Sequence, residues 1–285
     1  MRLDSLHGKI RELLEGGGVP DSRTDAMILL REIAGIEAAQ LLAYPEREVE
    51  QSVAQQVLNL AERRAGRIPL QILLGRTDFM GLSFRVREQV LIPRPDTEIL
   101  VEEALKDVKD GDRILDLCTG TGCILISLLH YSNECLGTGT DISREALALA
   151  GENADLLPEE KRSSVRFLEG DLFDALESGE KYDIIVSNPP YIARGEIPGL
   201  MPEVREFDPV CALDGGEDGM DFYRRIAAGA GAFLTPGGKL FLEIGCDQAQ
   251  AVTDELEAAG FCEIRVTRDY GGNDRVVSAK VREDV

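Results

Sequence analysis

The chain is poor in the groups that hold metals and grip polyanions. Its 285 residues include two histidines, His7 and His130, and no tryptophan. Six cysteines stand at positions 118, 123, 135, 211, 246 and 262, with no Cys-x-x-Cys pair among them. A thiolate or imidazole zinc site is therefore not expected, and no metal cofactor is. The thiols read as reduced core or near-core residues. Positive charge is scarce as well: 31 lysines and arginines face 52 aspartates and glutamates, a formal net charge of −21. Binding across nucleic-acid phosphates needs a basic footprint, and so does an anionic membrane surface. Neither partner is expected. No apolar run reaches the roughly 18 residues of a membrane span. Met1-Arg2-Leu3-Asp4-Ser5 lacks the apolar core of a secretion signal, so the chain reads as soluble and cytoplasmic.

What is present divides into two parts. Residues 1–85 carry a net charge of −1 and residues 86–285 a net charge of −20. In the first part Leu3, Leu6, Ile10, Leu13 and Leu14 recur at helical spacing. Gly16-Gly17-Gly18 stops that helix, and Pro20 delays the next until Asp21 or Ser22. Met27, Ile28, Leu30 and Ile33 mark a second helix, and Val53, Val57, Leu60 and Ala61 a third that runs to about Arg64. Residues 1–68 are expected to form a small helical bundle that docks a partner. Phe79, Leu82, Phe84, Val86 and Val90, with Gly75 and Gly81 between them, predict a β-hairpin linker within 69–92. A catalytic domain is expected over 93–285. It opens on two prolines, after which Asp96 or Thr97 is placed to cap a helix carrying Leu100, Val101, Ala104 and Leu105.

Beyond residue 112, short apolar strands alternate with helices. Strands are expected at Ile114–Leu117, 135–140, Val165–Leu168, Tyr182–Ser187 and Lys239–Ile244, the last after a Pro236-Gly237-Gly238 turn. Helices fall at 122–131, after Ser143, and at about 247–259. Two final strands, near 262–267 and 275–281, flank Gly271-Gly272-Asn273-Asp274 and are expected to be antiparallel. The alternation predicts an α/β fold with a doubly wound, Rossmann-like sheet. Ligands of such sheets lie at the carboxyl ends of the strands. The first such end is Asp116-Leu117-Cys118-Thr119-Gly120-Thr121-Gly122, whose Gly-x-Gly turn lets a ligand approach the backbone. Leu125 occupies the third position of a dinucleotide Gly-x-Gly-x-x-Gly fingerprint, which disfavours a nicotinamide cofactor. The second strand ends in Asp141, a carboxylate placed for ribose hydroxyls. The third ends in Asp171-Leu172, a carboxylate for an adenine amine and an apolar face for its ring. Three acidic strand ends in succession point to one adenosine-bearing ligand.

The fourth strand ends in Ser187-Asn188-Pro189-Pro190-Tyr191. Two prolines cannot extend the strand and donate no backbone hydrogens. They hold the Asn188 amide and the Pro189 carbonyl in a stiff corner rich in acceptors, which suits a planar NH2 group. Pro190 stiffens the corner and Tyr191 offers a flat face for stacking. The combination resembles class I methyltransferases that use S-adenosyl-L-methionine and methylate an amino group conjugated to a π system. Two targets remain open on this reading, the exocyclic amine of adenine and the side-chain amide of glutamine. Three flanking segments choose between them: Leu74–Gly81, Ile92–Glu98 and Ala212–Tyr223. They are similar to those of the peptide chain release factor glutamine methyltransferases, the PrmC/HemK family, and the likeness runs over essentially the whole chain. Cys118 stands where that family often has glycine, Asp96 where it usually has glutamate, and Leu172 where some members have an aromatic ring. The resemblance implies transfer to the glutamine of a Gly-Gly-Gln motif in class 1 release factors. Asp116, Cys118, Thr119, Gly120, Thr121, Gly122, Asp141, Asp171, Leu172 and Asn188 would hold the cofactor. Asn188, Pro189, Pro190 and Tyr191 would hold the target amide.

Overall fold

In the computed structural model, which describes residues 1–282, the N-terminal apolar positions fall on facing helix stripes. Helices α1 (Leu3–Gly16), α2 (Ser22–Ala34), α3 (Ala38–Ala43), α4 (Gln51–Ala65) and α5 (Leu70–Leu74) come first. Leu3, Leu6, Ile10 and Leu14 of α1 pack with Leu29 and Leu30 of α2 and Val57 and Ala61 of α4. Gly17 permits the contact that sets their crossing, because a Cβ there would lie 2.4 Å from the carbonyl oxygen of Ala65. The short α3 buries none of its residues, so it carries no apolar stripe for the periodicity to show. Residues 69–75 also join the bundle. Pro69 precedes α5, whose Leu70 enters the bundle core.

The chain separates into two units, one of Met1–Gly75 with Met201–Phe207, and one of Arg76–Leu200 with the residues from Asp208 onward. The second opens with strands β1 (Arg76–Phe79) and β2 (Leu82–Arg85), paired antiparallel. Met80 and Gly81 connect them, both at positive φ, the twist a two-residue hairpin requires. There follow α6 (Glu98–Leu105), β3 (Arg113–Leu117), α7 (Cys123–Tyr131), β4 (Leu136–Asp141), α8 (Arg144–Asn153), β5 (Val165–Glu169) and β6 (Tyr182–Ser187). Helix α9 (Pro202–Arg205) lies in the stretch assigned to the first unit, and α10 (Asp221–Phe233), β7 (Leu234–Glu243), α11 (Ala249–Ala258), β8 (Cys262–Arg268) and β9 (Asp274–Lys280) complete the order.

The seven-stranded sheet runs β5-β4-β3-β6-β7-β9-β8. The neighbours from β5 to β7 are parallel, and β9 is antiparallel to both β7 and β8. One face packs on α6 and α7 and the other on α10 and α11, the doubly wound arrangement expected. Two details differ from expectation. Pro236-Gly237-Gly238 does not precede β7 but lies inside it, where the pairing slips between Tyr182↔Leu234 and Ile184↔Lys239. Gly237 takes φ +78°, so the irregularity is absorbed without ending the strand. Helix α10 is not among the helices expected, although Tyr223, Ile226, Ala227 and Ala230 are its buried face.

Within the first unit a buried charge cluster ties the segment Met201–Phe207 to the bundle. Arg64 donates from Nε to Asp25 at 2.7 Å and from Nη1 to Glu203 at 2.9 Å. Arg67 grips the same carboxylate with two nitrogens, at 2.7 and 2.5 Å. Burial would raise the Glu203 carboxyl, but the hydrogen bonds from Arg67 and Arg64 win and bring it down to about 2. A depressed carboxyl stabilises the fold above its unfolded pKa and ceases to do so as pH falls through its folded one. Glu203→Gln is therefore expected to destabilise the helical unit by about 1.5–3 kcal/mol at neutral pH, the range for hydrogen bonds to a charged group. The gap from wild type should close as pH drops from 4.5 towards about 2. Hydrogen exchange in α1, α2 and α4 measures it, and a gap independent of pH would remove the ionised pair as its cause.

Candidate active site at the carboxyl edge of the sheet

Strand β3 ends in a turn that its own aspartate braces. Asp116 is fully buried and accepts from the Thr119 hydroxyl at 2.6 Å. Burial pushes its carboxyl up to about 7 against that hydrogen bond. Cys118 takes φ +58°, a left-handed conformation that glycine enters without a Cβ penalty. This gives a physical reason for the glycine that the family often has there. Gly122, at φ +78°, begins α7, and a Cβ on it would lie 2.9 Å from Ile126 Cδ1. Asn153 of α8 clamps the turn from behind, donating to the carbonyl oxygens of Thr121 and Arg85 and accepting from the Arg85 amide.

The end of β4 is locked to this turn. Asp141 accepts from the Gly120 amide through Oδ2 and from the Ser143 amide through Oδ1, both at 2.9 Å. Burial raises its carboxyl and these two hydrogen bonds oppose the rise. Ser143 caps α8 as expected, accepting from the Ala146 amide at 3.2 Å. Beyond β5, Asp171 pairs with Arg225 at 2.8 Å. Leu172 is buried at φ +52°.

These ends open on a cleft of about 870 Å3, part of it open to solvent. Of the residues expected to bind cofactor or target, Cys118, Thr119, Gly120, Thr121, Asp141, Asp171, Leu172, Asn188 and Pro190 line it. Asp116, Gly122, Pro189 and Tyr191 are not among its lining residues. Asp116 lies beneath the turn. Pro189 is buried, and Tyr191 packs against the core formed with α10 and α11. Gln248 holds the Tyr191 carbonyl at 2.9 Å, which fixes the exit from the proline corner.

The cleft also takes in residues assigned no binding role in the sequence. Val90, Ile92, Arg94 and Thr97 form one wall, and Cys211 and Phe222 stand on another. Arg94 is held by an ion pair with the buried Asp208. Thr97 precedes α6 but makes no capping hydrogen bond, and Asp96 lies in the single turn before it, paired with Arg275 at 3.4 Å. The expected cap is thus absent. The Thr97 hydroxyl instead meets Asn188, whose Nδ2 donates to it at 3.2 Å. Glu243, at the end of β7 and 1% exposed, is not among the expected site residues either. A lone carboxylate in the apolar run Leu240–Ile244 was its signal. Among the described residues there is no group of three or more His, Cys, Asp or Glu that could hold a metal, and no helix long and apolar enough to cross a membrane.

Comparison with known proteins agrees with this geometry. The family model described as the methyltransferase small domain matches residues 95–200, and that of the PrmC N-terminal domain matches residues 6–75. A 16S rRNA N2 G1207 methyltransferase of T. thermophilus, solved with AdoMet and guanosine, shares the fold with a TM-score of 0.53 at 20% identity, over 73% of this chain and 50% of that one. Sheet, cleft and family match together define a methyltransferase. The release factor glutamine methyltransferase of Moorella thermoacetica is 42% identical over 100% of both chains. That of Clostridium acetobutylicum is 41% identical over 90% of both. The chain belongs to the release factor glutamine methyltransferase family.

Proposed function

We propose that this enzyme transfers a methyl group from S-adenosyl-L-methionine to the side-chain amide nitrogen of the glutamine in a Gly-Gly-Gln motif of class 1 release factors. The observation that carries the reading is the Asn188 amide at the cleft wall. Its Nδ2 is engaged by Thr97, which leaves Oδ1 to accept. The same corner would take an adenine amine, but the family and the net charge of −20 beyond residue 85 favour a protein substrate.

The residues at the strand ends fit the cofactor. Gly120 meets open space where a Cβ would stand, so a ligand can reach the turn's backbone. Asp141 would accept from the ribose hydroxyls, and Leu172 would lie against the adenine. Asp171 would meet the adenine amine only while it shares its carboxylate with Arg225. When bound, the cofactor supplies an activated methyl group on sulfur. On accepting that methyl group the target nitrogen would give up one proton to water. The chain's part is to orient a weak nucleophile, since an amide lone pair is delocalised into its carbonyl. Asn188 Oδ1 and the Pro189 carbonyl would each accept one hydrogen of the target NH2, and Tyr191 would support its plane. Holding two reactants in line can lower a barrier by up to roughly 7–11 kcal/mol, and acceptors facing the developing positive charge add to that.

Mass spectrometry of tryptic peptides tests the reaction directly, through one added methyl on the Gly-Gly-Gln peptide of a purified release factor. Asp141→Ala is expected to weaken cofactor binding by about 1.5–3 kcal/mol, the loss for hydrogen bonds to a charged group. Unchanged affinity by calorimetry in a folded variant would take Asp141 out of the site. Asn188→Ala is expected to keep cofactor affinity within about tenfold while single-turnover methylation drops at least about 100-fold. Retention of more than about a tenth of wild-type turnover would refute the amide clamp.

We propose further that the helical bundle of residues 1–68 docks the body of the release factor. One glutamine side chain offers too few atoms for a specific complex, so remote contacts must supply the affinity. Leu42 and Tyr44 are 84% and 58% exposed at the end of α3, an apolar pair with no role in the bundle core. Deleting the bundle would strip Glu203 of both arginine partners, so the surface itself is the better target. Changing Leu42 and Tyr44 together to aspartate should raise KM for intact release factor about tenfold or more and leave a short Gly-Gly-Gln peptide unaffected. An unchanged KM would leave these residues without a docking role.

A further inference from the structure

The clamp needs one end of the Asn188 amide turned to the target. Nitrogen and oxygen of that amide have nearly the same shape, yet only the oxygen accepts. The structure supplies a second buried group at this point. Strands β6 and β7 pair in parallel with Ser187 opposite Leu242, so Asn188 and Glu243 leave the sheet at the same level. Thr97, 2% exposed, stands beside both. Asn188 Nδ2 donates to Thr97 Oγ1 at 3.2 Å, and both side chains lie close enough to the Glu243 carboxylate to favour its ionised form. Its second oxygen, Oε2, is buried without a partner. No step of methyl transfer accounts for a carboxylate kept there.

We propose that Glu243, acting through Thr97, is a positioning residue that sets the polarity of the Asn188 amide and so keeps Oδ1 turned to the target NH2. The Thr97 hydroxyl has one hydrogen. When Glu243 is ionised it can only accept, so that hydrogen points to it and the Thr97 lone pairs are left for Asn188 Nδ2. When Glu243 is protonated it donates to Thr97 instead. The Thr97 hydrogen is then released towards Asn188, where an oxygen rather than a nitrogen matches it. The chain of donors reverses, and the amide turns its NH2 to the substrate's NH2, two donors face to face.

Burial pushes the Glu243 carboxyl up to about 7, against the Thr97 and Asn188 side chains and the charge of Arg275. The charged and titratable groups facing it are Arg275 of β9, Asp96 before α6, Tyr191 after β6, Tyr223 of α10 and Cys123 of α7. Burial drives Tyr191 and Cys123 up to about 12 and Tyr223 upward as well, and the Arg275 pKa is raised too, so these four hold their protons through neutral pH. The ionised form of Glu243 is the competent one, so turnover should rise with pH. Asp116 also titrates near 7, but it lies beneath the cofactor turn, and its influence is removed by measuring kcat at saturating cofactor.

The proposal rests on Asn188 as the amide clamp, and the experiment separates the two. In wild type, kcat should rise with a midpoint near 7. Glu243→Gln should lower kcat at about pH 8.5 at least about fivefold and flatten the profile, with cofactor affinity unchanged, because a neutral amide no longer dictates the donor direction. Thr97→Val, which removes the hydroxyl and keeps the shape, should also cost at least about fivefold, and it carries the test should the Glu243 variant fail to fold. A loss smaller than that in the folded variants, or a pH profile in Glu243→Gln like that of wild type, overturns the proposal. If Asn188→Ala is inactive while these variants are not, the clamp stands and only its control by Glu243 falls. If Asn188→Ala is active, both fall.

Discussion

The hydrogen bond from the Gly120 amide to the Asp141 carboxylate holds together everything this edge of the sheet does. It joins the turn after β3 to the end of β4 at 2.9 Å, and so makes one rigid rim out of two loops that would otherwise move apart. Parallel pairing brings these strand ends to the same level by necessity, because every crossover helix returns the chain to the opposite edge. What the sheet does not supply is stiffness beyond its last pair. That comes from side chains of the turns themselves. Thr119 on Asp116, Gly120 on Asp141 and Asn153 on Thr121 each spend a polar group on holding backbone rather than ligand. A carboxylate that already takes two backbone hydrogens still has lone pairs left on each oxygen, so Asp141 can brace the rim and face a ligand at once.

The parallel half of the sheet was legible because its strands are short apolar runs with hard stops. Tyr182–Ser187 could be bounded to the residue, since Pro189 and Pro190 forbid any continuation. Asn188 was legible for the same reason, as the only amide before two prolines at a strand end. The failures have physical causes too. Pro236-Gly237-Gly238 reads as a turn by local chemistry, but β6 pairs with β7 both before it, at Leu234, and after it, from Lys239 onward. Tertiary pairing outweighs local propensity there. Thr97 reads as a helix cap because threonine before an apolar helix usually is one. Its hydroxyl is drawn away by Asn188, ninety-one residues later in the chain, and no spacing rule reaches that far. One contact of Tyr191, with the core of α10 and α11, is likewise invisible in its motif, because a motif fixes neighbours in sequence without fixing where each side chain points.

The charge split between the two parts has a structural counterpart. In the helical unit, charge drawn out of water is paired: the buried Asp25 and Arg64 and the half-buried Arg67 and Glu203 satisfy one another within a few ångströms. Such a cluster adds little stability over apolar residues of the same size but is costly to break. It therefore selects one seat for the segment Met201–Phe207 in preference to many of similar energy. At the carboxyl edge of the sheet, the buried Asp208 is paired with Arg94, but Asp116 and Glu243 are in none of the ion pairs found among the described residues. Asp116 and Glu243 meet hydroxyl and amide groups, and burial drives both to about 7.

That contrast separates residues kept for folding from residues kept for chemistry. Asp116 Oδ1, Thr140 Oγ1 and Glu243 Oε2 are buried without a hydrogen-bond partner in the protein, and they belong to the ends of β3, β4 and β7. Each such atom costs about 1–3 kcal/mol, a large sum against a domain's net stability of roughly 5–15 kcal/mol. An apolar side chain of similar volume at any of the three would relieve that cost, and the surrounding cores, filled with leucine, isoleucine and valine, show that the fold accepts such residues one position away. Local rules of folding are broken where a sequence is under some other demand. Nine side-chain atoms among the described residues are buried in this way, and these three lie along the edge where the strands present their ligand-binding ends, while the others belong to His7, Arg11, Ser127, His130, Ser132 and Asp208. At that edge Asp116 and Glu243 bear such a cost beside the cofactor turn and Asn188, because a site that must hold an amide in one of two nearly isosteric orientations cannot be built from apolar groups.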